Sequence, residues 1–240
     1  MKMQKLCFSV ALLATVIASG ATGAACTNAT VIGVWGFQVG TAVGQFTADG
    51  TGKITAGDDT VNQNGKVIKQ TFTGTYSVAA NCTGKLTLNI TGGGTVTASF
   101  VLDNGNKGAQ IIDTTAGTVA EGPGAAEGTV TCGFSGTTQK FAALLLGKII
   151  GGSSIAYVAK VVLDGKGNIS GTGTFDVGGA YLVTTIAGTY TEGSNCTGTI
   201  RMTPKGSSTL NFAFVVVNAG KELLLVDTDS NASVAGNMQR

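Results

Sequence analysis

Apolar and polar residues alternate along most of the chain that follows residue 25. Leu86, Leu88 and Ile90, for example, are separated by single polar residues. Alternation with a period of two is typical of β-strands that place one face on a core and the other in water. Dipeptides such as Asn64-Gly65 separate these runs and supply the positive φ angles of tight hairpins. The pattern therefore predicts short antiparallel strands that follow one another through turns.

The chain contains two copies of one sequence pattern. Residues 74–84 read GTYSVAANCTG and residues 188–198 read GTYTEGSNCTG, which are identical at seven of eleven positions with an offset of 114. Residues 49–54 match residues 164–169 after a slip of one position. Matching blocks in the same order predict a tandem duplication.

The predicted duplication divides the chain into two modules. We expect the first module at residues 26–122, a linker at 123–131 and the second module at 132–240, because Gly and Pro cluster around residue 123. The strand spacing predicts an all-β fold in which each module is an antiparallel up-and-down β-meander of about eight strands. Closure of each meander into a calycin-like barrel would remove its exposed edges. Two β-sandwiches are the alternative, because periodicity does not distinguish them from barrels.

The first residues have the features of a secretory signal peptide. Lys2 and Lys5 precede an apolar run at residues 6–18, and small residues follow. The run is shorter than the roughly 20 residues with which a helix crosses a bilayer. The sequence therefore predicts a signal peptide at residues 1–25, no membrane span and a secreted or otherwise extracytoplasmic protein. Lipidation of Cys26 is an alternative, although the residues before it lack the large aliphatic side chain expected upstream of a lipidated Cys.

Four cysteines follow the predicted signal peptide and agree with an oxidising compartment. Cys82 and Cys196 are equivalent at the offset of 114, while Cys26 and Cys132 each open a module. Four cysteines allow three pairings, and self-contained modules favour Cys26–Cys82 and Cys132–Cys196. Metal binding is the alternative, which the lack of His and of a C-x-x-C motif disfavours.

Composition excludes several classes of function. The chain has 15 basic and 13 acidic residues, and removal of Lys2 and Lys5 would leave 13 of each. A charged fraction of 12 % provides no basic face of the kind that nucleic acids require. Without any His the sequence has no Ser-His-Asp or Cys-His pair, and it contains no P-loop or serine-hydrolase motif. We therefore predict no catalytic residue, no cofactor and no metal.

A few residues are candidates for a binding site. Asp113 and Asp227 are equivalent in the two modules, each at the end of a predicted strand, and are the first acids to test if the modules bind a polar group. Trp35, the sole Trp, is either core or the lining of a barrel cavity. The adjacent Asp58 and Asp59 are interpreted as a solvated hairpin end, because neighbours on a strand point to opposite faces and cannot face each other across a substrate.

Several of these features also occur together in a group of known proteins. The repeated Gly-Thr-Tyr and Asn-Cys-Thr-Gly blocks, the module-opening Cys26 and the apolar residues 212–215 resemble those of uncharacterised secreted bacterial proteins built from Gly/Thr-rich modules. The resemblance covers nearly all of the chain after the predicted signal peptide. It implies a secreted protein of modular build and no particular activity.

The sequence favours a non-catalytic secreted or cell-surface protein with a structural, adhesive or interaction role, whose partner would be a protein or a glycan surface. The alternative is a calycin-like carrier of a small apolar ligand. The barrel interior distinguishes the two hypotheses, because a carrier requires an open, lined cavity.

Overall fold

The computed structural model describes residues 25–128, 132, 134 and 136–240. The predicted signal peptide, apart from residue 25, lies outside the described residues. The described chain forms two closed, eight-stranded antiparallel β-barrels, one after the other. This confirms the predicted all-β meanders and shows barrels rather than sandwiches. Among the described residues, no helix combines the length and the apolar character needed to cross a bilayer.

Both barrels have simple up-and-down topology. The first follows a short 3-10 turn at Asn28–Val31. Its strands are β1 (Gly33–Val39), β2 (Ala42–Ala48), β3 (Lys53–Gln63), β4 (Lys66–Val78), β5 (Thr83–Ile90), β6 (Thr95–Asp103), β7 (Gly108–Asp113) and β8 (Glu121–Ala126). The strands of the second barrel are β9 (Gln139–Ile149), β10 (Ser154–Leu163), β11 (Asn168–Val177), β12 (Ala180–Glu192), β13 (Thr197–Pro204), β14 (Leu210–Val217), β15 (Glu222–Asp227) and β16 (Ala232–Gln239). Pairing of β8 with β1, and of β16 with β9, closes the barrels.

Part of the predicted linker belongs instead to the first barrel, because residues 121–126 form β8 and pair with β1 and β7. Its Gly residues permit close packing rather than a turn. A Cβ on Gly122 would collide with the carbonyl oxygen of Gln38 on β1, and a Cβ on Gly124 would lie 2.9 Å from the side chain of Ile111. The first barrel therefore extends past the predicted module boundary to the end of β8.

Both predicted disulfides are present. Cys26–Cys82 lies in the first barrel and Cys132–Cys196 in the second, with Cα atoms 5.0 and 4.8 Å apart and sequence separations of 56 and 64 residues. Closure of loops of this length stabilises a protein by about 4 kcal/mol, largely by restricting the unfolded chain. Cys82 and Cys196 have positive φ angles of 65° and 60°. The matched sequence blocks thus adopt the same turn in both barrels.

The one-residue slip in the sequence match coincides with a β-bulge. Between Ile54 and Gly57 the register of β3 against β4 shifts by one residue. The pairing of β11 with β12 is continuous between the corresponding residues, Ile169 and Gly171. The extra residue in β3 changes the offset between the barrels from 115 before the bulge to 114 after it.

The two barrels pack side by side through apolar residues on their outer faces. Val215 and Val217 of β14 and Leu224 of β15 point out of the second barrel and pack with Val43 of β2. Gly36 of β1 allows this approach, since a Cβ there would lie 3.0 Å from the side chain of Val215. Strands β14 and β15 are apolar on both faces because one face lines their own barrel and the other is covered by the first barrel.

A buried amide adds a polar link between the barrels. Asn62 of β3 is almost completely buried, and the two hydrogens of its Nδ2 are shared among the carbonyl oxygens of Asp227, Asp229 and Ala232, which lie 2.9, 3.2 and 3.0 Å from the nitrogen. Its Oδ1 accepts a hydrogen bond from the backbone N–H of Gly65 at 2.7 Å, within the β3–β4 hairpin. One side chain therefore holds both its own hairpin and three carbonyl groups of the second barrel.

We expect Asn62→Ala to lower the free energy of unfolding by about 2 to 4 kcal/mol, because buried carbonyl groups would lose their donor. Asp176→Ala is the matched control. Asp176 holds the equivalent position in β11 and accepts the equivalent hairpin hydrogen bond from Gly179 at 2.8 Å, but on an exposed surface. Its loss should cost about 1 kcal/mol or less. Urea unfolding of the oxidised protein measures both, and equal losses would contradict the inter-barrel role of Asn62.

Candidate functional site

The lumen of the first barrel is filled over one half of its length. Trp35, Tyr76 and Phe100 point inward there and are buried. Val31, from the turn before β1, packs against the same cluster, and the Tyr76 hydroxyl donates a hydrogen bond to the carbonyl oxygen of Asn28 at 3.0 Å. Trp35 is 3 % exposed, so this binding candidate from the sequence lies in the core.

The other half of the lumen contains a cavity of about 360 Å³ that extends to the hairpins at that end of the barrel. This volume lies within the range of small-molecule sites. Its walls are mostly apolar and include Phe37, Phe46 and Leu88. The polar residues of the lining are Thr41, Asp59, Gln63, Gln70, Asp113 and Thr118.

Side-chain size explains why the first barrel contains this cavity while the corresponding space in the second barrel is filled. Ala42 pairs with Val61 across β2 and β3 in the cavity wall. The corresponding pair in the second barrel is Tyr157 and Phe175, whose ring centroids lie 4.6 Å apart. The interior of an eight-stranded barrel is just wide enough for side chains to fill it. Two small residues in place of two rings therefore leave space.

A third position contributes to the same difference. Ala98 of β6 lines the cavity, whereas Phe212, at the offset of 114 on β14, is 1 % exposed inside the second barrel. The exchange is reversed at three neighbouring positions, where the first barrel has the ring: Phe37, Phe46 and Phe72 correspond to Ala143, Val161 and Ile186. The cavity therefore depends on where the rings stand and not on their number, and it lies beside Ala42, Val61 and Ala98.

One carboxyl group is buried inside this cavity. Asp59 of β3 points into the lumen opposite Gly44 and is 9 % exposed. Its Oδ2 accepts a hydrogen bond from Nε2 of Gln70 at 3.3 Å, and its buried Oδ1 has no hydrogen-bond partner among the described residues. Burial raises the pKa of Asp59 to about 6 against the lowering effect of the Gln70 hydrogen bond, and the charge of Asp58 adds a smaller rise.

The strand opposite makes room for this carboxyl group. A Cβ on Gly44 would lie 2.5 Å from the Cβ of Asp59, so a larger residue on β2 would displace the acid. The second barrel has the opposite arrangement, in which Ala159 pairs with Gly173. A Cβ on Gly173 would lie 2.7 Å from that of Ala159. The acid is thus present in the barrel that has the cavity and replaced by Gly in the barrel that is filled.

The adjacent acids do not form the solvated hairpin end expected from the sequence. They lie in the middle of β3, and Asp58 faces outward, where it accepts a hydrogen bond from Nε2 of Gln45 at 3.1 Å. The expectation that the two side chains point to opposite faces is confirmed. Sequence reasoning misses Asp59 as a site residue because alternation places it on one face with Val61 without showing that this face borders a cavity.

The repeat-equivalent acids have different surroundings. Asp113 of β7 lines the cavity, and its Oδ1 accepts a hydrogen bond from the backbone N–H of Thr115 at 2.7 Å. Asp227 of β15 accepts the equivalent bond from Asp229 at 2.6 Å, but it is 0 % exposed. Burial raises the pKa of Asp227 to about 7. Of this pair, Asp113 borders the open cavity and Asp227 is enclosed in the second barrel.

A cluster near the junction of the barrels resembles a metal site only in its spacing. A carboxylate oxygen of Glu127 and the sulfur atoms of Cys132 and Cys196 lie within 4.8 Å of one another. Both sulfurs belong to the second disulfide, and a metal requires thiolates. This cluster therefore does not form a metal site.

No protein-family model matches the chain, and no curated protein matches it significantly. The resemblance to secreted Gly/Thr-rich proteins stays a prediction. The geometry of the cavity is therefore the basis for a functional assignment. An apolar space with a few polar groups can hold a small molecule by burying its apolar surface and fixing its orientation through those groups.

Buried carboxyl groups make the stability of the fold depend on pH. Burial raises the pKa of Asp59 to about 6 and those of Glu127 and Asp227 to about 7, above their values near 4 in the unfolded chain. The folded state holds these protons more tightly, so the free energy of unfolding should fall by at least about 2 kcal/mol between about pH 5 and pH 7.5.

Hydrogen bonds from Thr51 and its neighbours lower the pKa of Asp49 to about 2, so the stability it contributes is lost only below about pH 4.

Urea unfolding of the oxidised protein at the two pH values measures this difference. Asp227→Asn should reduce it, because the variant removes a group that must lose its proton in a buried position. Asp176→Asn, at an exposed turn, should leave it unchanged. Stability that rises from pH 5 to pH 7.5 would show that these carboxyl groups do not have raised pKa values.

Proposed function

We propose that the chain is a secreted, non-catalytic protein that binds a small and mostly apolar molecule in the first barrel. The observation that carries this proposal is the cavity of about 360 Å³, located where Tyr157, Phe175 and Phe212 fill the second barrel. An eight-stranded barrel that its own side chains do not fill has room for one small ligand.

The chemistry of the lining supports binding of a small molecule. Apolar walls such as Phe46 and Leu88 favour burial of a hydrocarbon surface, at roughly 25 cal/mol for each Å² removed from water. The polar lining residues carry carboxyl, amide and hydroxyl groups. Groups of this kind fix the orientation of a ligand.

The proposal includes export through the predicted signal peptide and an origin of the two barrels by duplication. The two disulfides support a location outside the cytoplasm, where such bonds persist. The common strand order of the barrels and the common turn at Cys82 and Cys196 support the duplication.

The second barrel has a structural or interaction role in this proposal. Its outer face on β14 and β15 packs against β1 and β2, two strands that contribute to the cavity wall. Leu144, Leu146 and Val158 are exposed on the outer faces of β9 and β10. Neighbouring exposed apolar residues of this kind favour contact with a protein partner.

A neutral fluorescent probe such as N-phenyl-naphthylamine tests the proposed cavity. We expect saturable fluorescence enhancement with one probe bound per chain. A variant that carries Ala42→Tyr, Val61→Phe and Ala98→Phe places the rings of the second barrel in the first, and it should lose probe binding. Its far-UV circular dichroism and its unfolding transition confirm that it is folded.

Two further variants keep this experiment decisive. Ala98→Leu fills part of the cavity and should weaken probe binding even if the triple variant is overpacked. Val101→Phe adds apolar surface on the exposed outer face of the same strand and should leave binding unchanged. Lack of saturable binding by the natural chain, or equal binding by the filled variants, would contradict the proposal.

A further inference from the structure

The polar groups of the cavity differ sharply from those of a site that accepts anions. Asp59 and Asp113 both line it, and the other polar lining residues are Gln and Thr. None of the described lining residues is Lys or Arg. A ligand carboxylate would therefore lie beside acids without a cationic partner, which is unfavourable in a site with apolar walls.

The carboxyl group of Asp59 belongs to the wall of the cavity. Its side chain is more than nine-tenths buried, and Nε2 of Gln70 at 3.3 Å holds Oδ2. The other oxygen, Oδ1, is buried with no partner among the described residues. A buried acceptor without a donor is unfavourable in a folded protein, and such groups call for a specific explanation. Oδ1 is covered by protein atoms, so a ligand donor reaches it only after the side chain of Asp59 turns toward the cavity.

Comparison of the two barrels shows that this acid is not a requirement of the fold. The corresponding position in the filled barrel is Gly173, opposite Ala159, and that barrel closes with the same strand order. In the first barrel the strand opposite the acid carries Gly44, which leaves room for it. The acid and the empty space therefore occur together.

We propose that the cavity selects small apolar amines, with the side chain of Asp59 turned toward the cavity, its carboxylate paired with the ammonium group, and the hydrocarbon part of the ligand among the apolar walls. This inference rests on the proposed function, because it names the class of ligand that the same cavity binds. Charge-assisted hydrogen bonds are the stronger ones, so an ammonium group satisfies this carboxylate better than a hydroxyl group does. Asp59 and Asp113 together disfavour a ligand carboxylate.

Three ligands with the same alkyl chain test the selectivity. Octylamine, octanol and octanoate are titrated at pH 7.5 by isothermal calorimetry or by displacement of the neutral probe. We expect octylamine to bind about tenfold more tightly than octanol, and octanoate to bind most weakly. Asp59→Asn, which keeps the shape of the side chain, should remove the preference for the amine and leave octanol binding within about threefold of the natural chain.

Matched variants separate the role of Asp59 from general charge effects. Asp58→Asn removes the neighbouring negative charge on the outer face of β3 and should keep the preference for the amine. Asp59→Gly copies the residue of the second barrel and provides a second variant if Asp59→Asn is unstable. Asp113→Asn should reduce the discrimination against octanoate and keep most of the preference of octylamine over octanol.

The possible results distinguish this inference from the proposed function. Equal affinity for octylamine and octanol would overturn the selectivity while the cavity remained a binding site. A preference that persists in both Asp59 variants, or that disappears in Asp113→Asn, would overturn the assignment to Asp59. Failure of all three ligands and of the neutral probe to bind would overturn the proposed function itself.

Discussion

Closure of each eight-stranded sheet on itself is the constraint on which the rest of this structure depends. Pairing of β8 with β1 and of β16 with β9 fixes which side chains point inward along every strand. The interior that results is only as wide as packed side chains. Residue size at a few positions therefore decides whether the interior is filled or contains a cavity. Ala42, Val61 and Ala98 leave a cavity, and Tyr157 and Phe175 close the corresponding space in the second barrel.

Contact between the barrels extends this constraint to the outer faces. Val215 and Leu224 are apolar because the first barrel covers them, and Val43 on β2 is buried for the same reason. Strands β1 and β2 also carry Phe37 and Phe46, which line the cavity. The filled second barrel therefore packs against two strands of the cavity wall in the first barrel. Two barrels of the same fold thus differ, since one contains the cavity and the other supports its wall.

Much of the fold was predictable from local pattern, and the cavity was not. Alternation and the repeated blocks predict two meanders, and the position of Cys82 in its module predicts its disulfide. The predicted linker begins too early, because Gly122 and Gly124 resemble turn residues in the sequence but permit close packing of β8 in the structure. The cavity depends on small residues from separate strands that only the register brings together. The sequence shows that Asp59 is an acid on one face of a strand. It does not show that this acid is buried, because burial also depends on which strands the register places around it.

The buried carboxyl of Asp59 reduces stability at neutral pH, because its raised pKa means that the folded state holds the proton more tightly than the unfolded chain does. A residue that weakens the fold and is replaced by Gly173 in the other barrel is not explained by packing. A raised pKa alone does not mark a site, since the buried Asp227 has one inside the filled barrel; Asp59 differs because it lines the open cavity. The cost of burying an unpaired carboxylate in an apolar lumen is offset when a ligand brings the donor. In the proposed function, the cavity and the acid are two parts of one binding site.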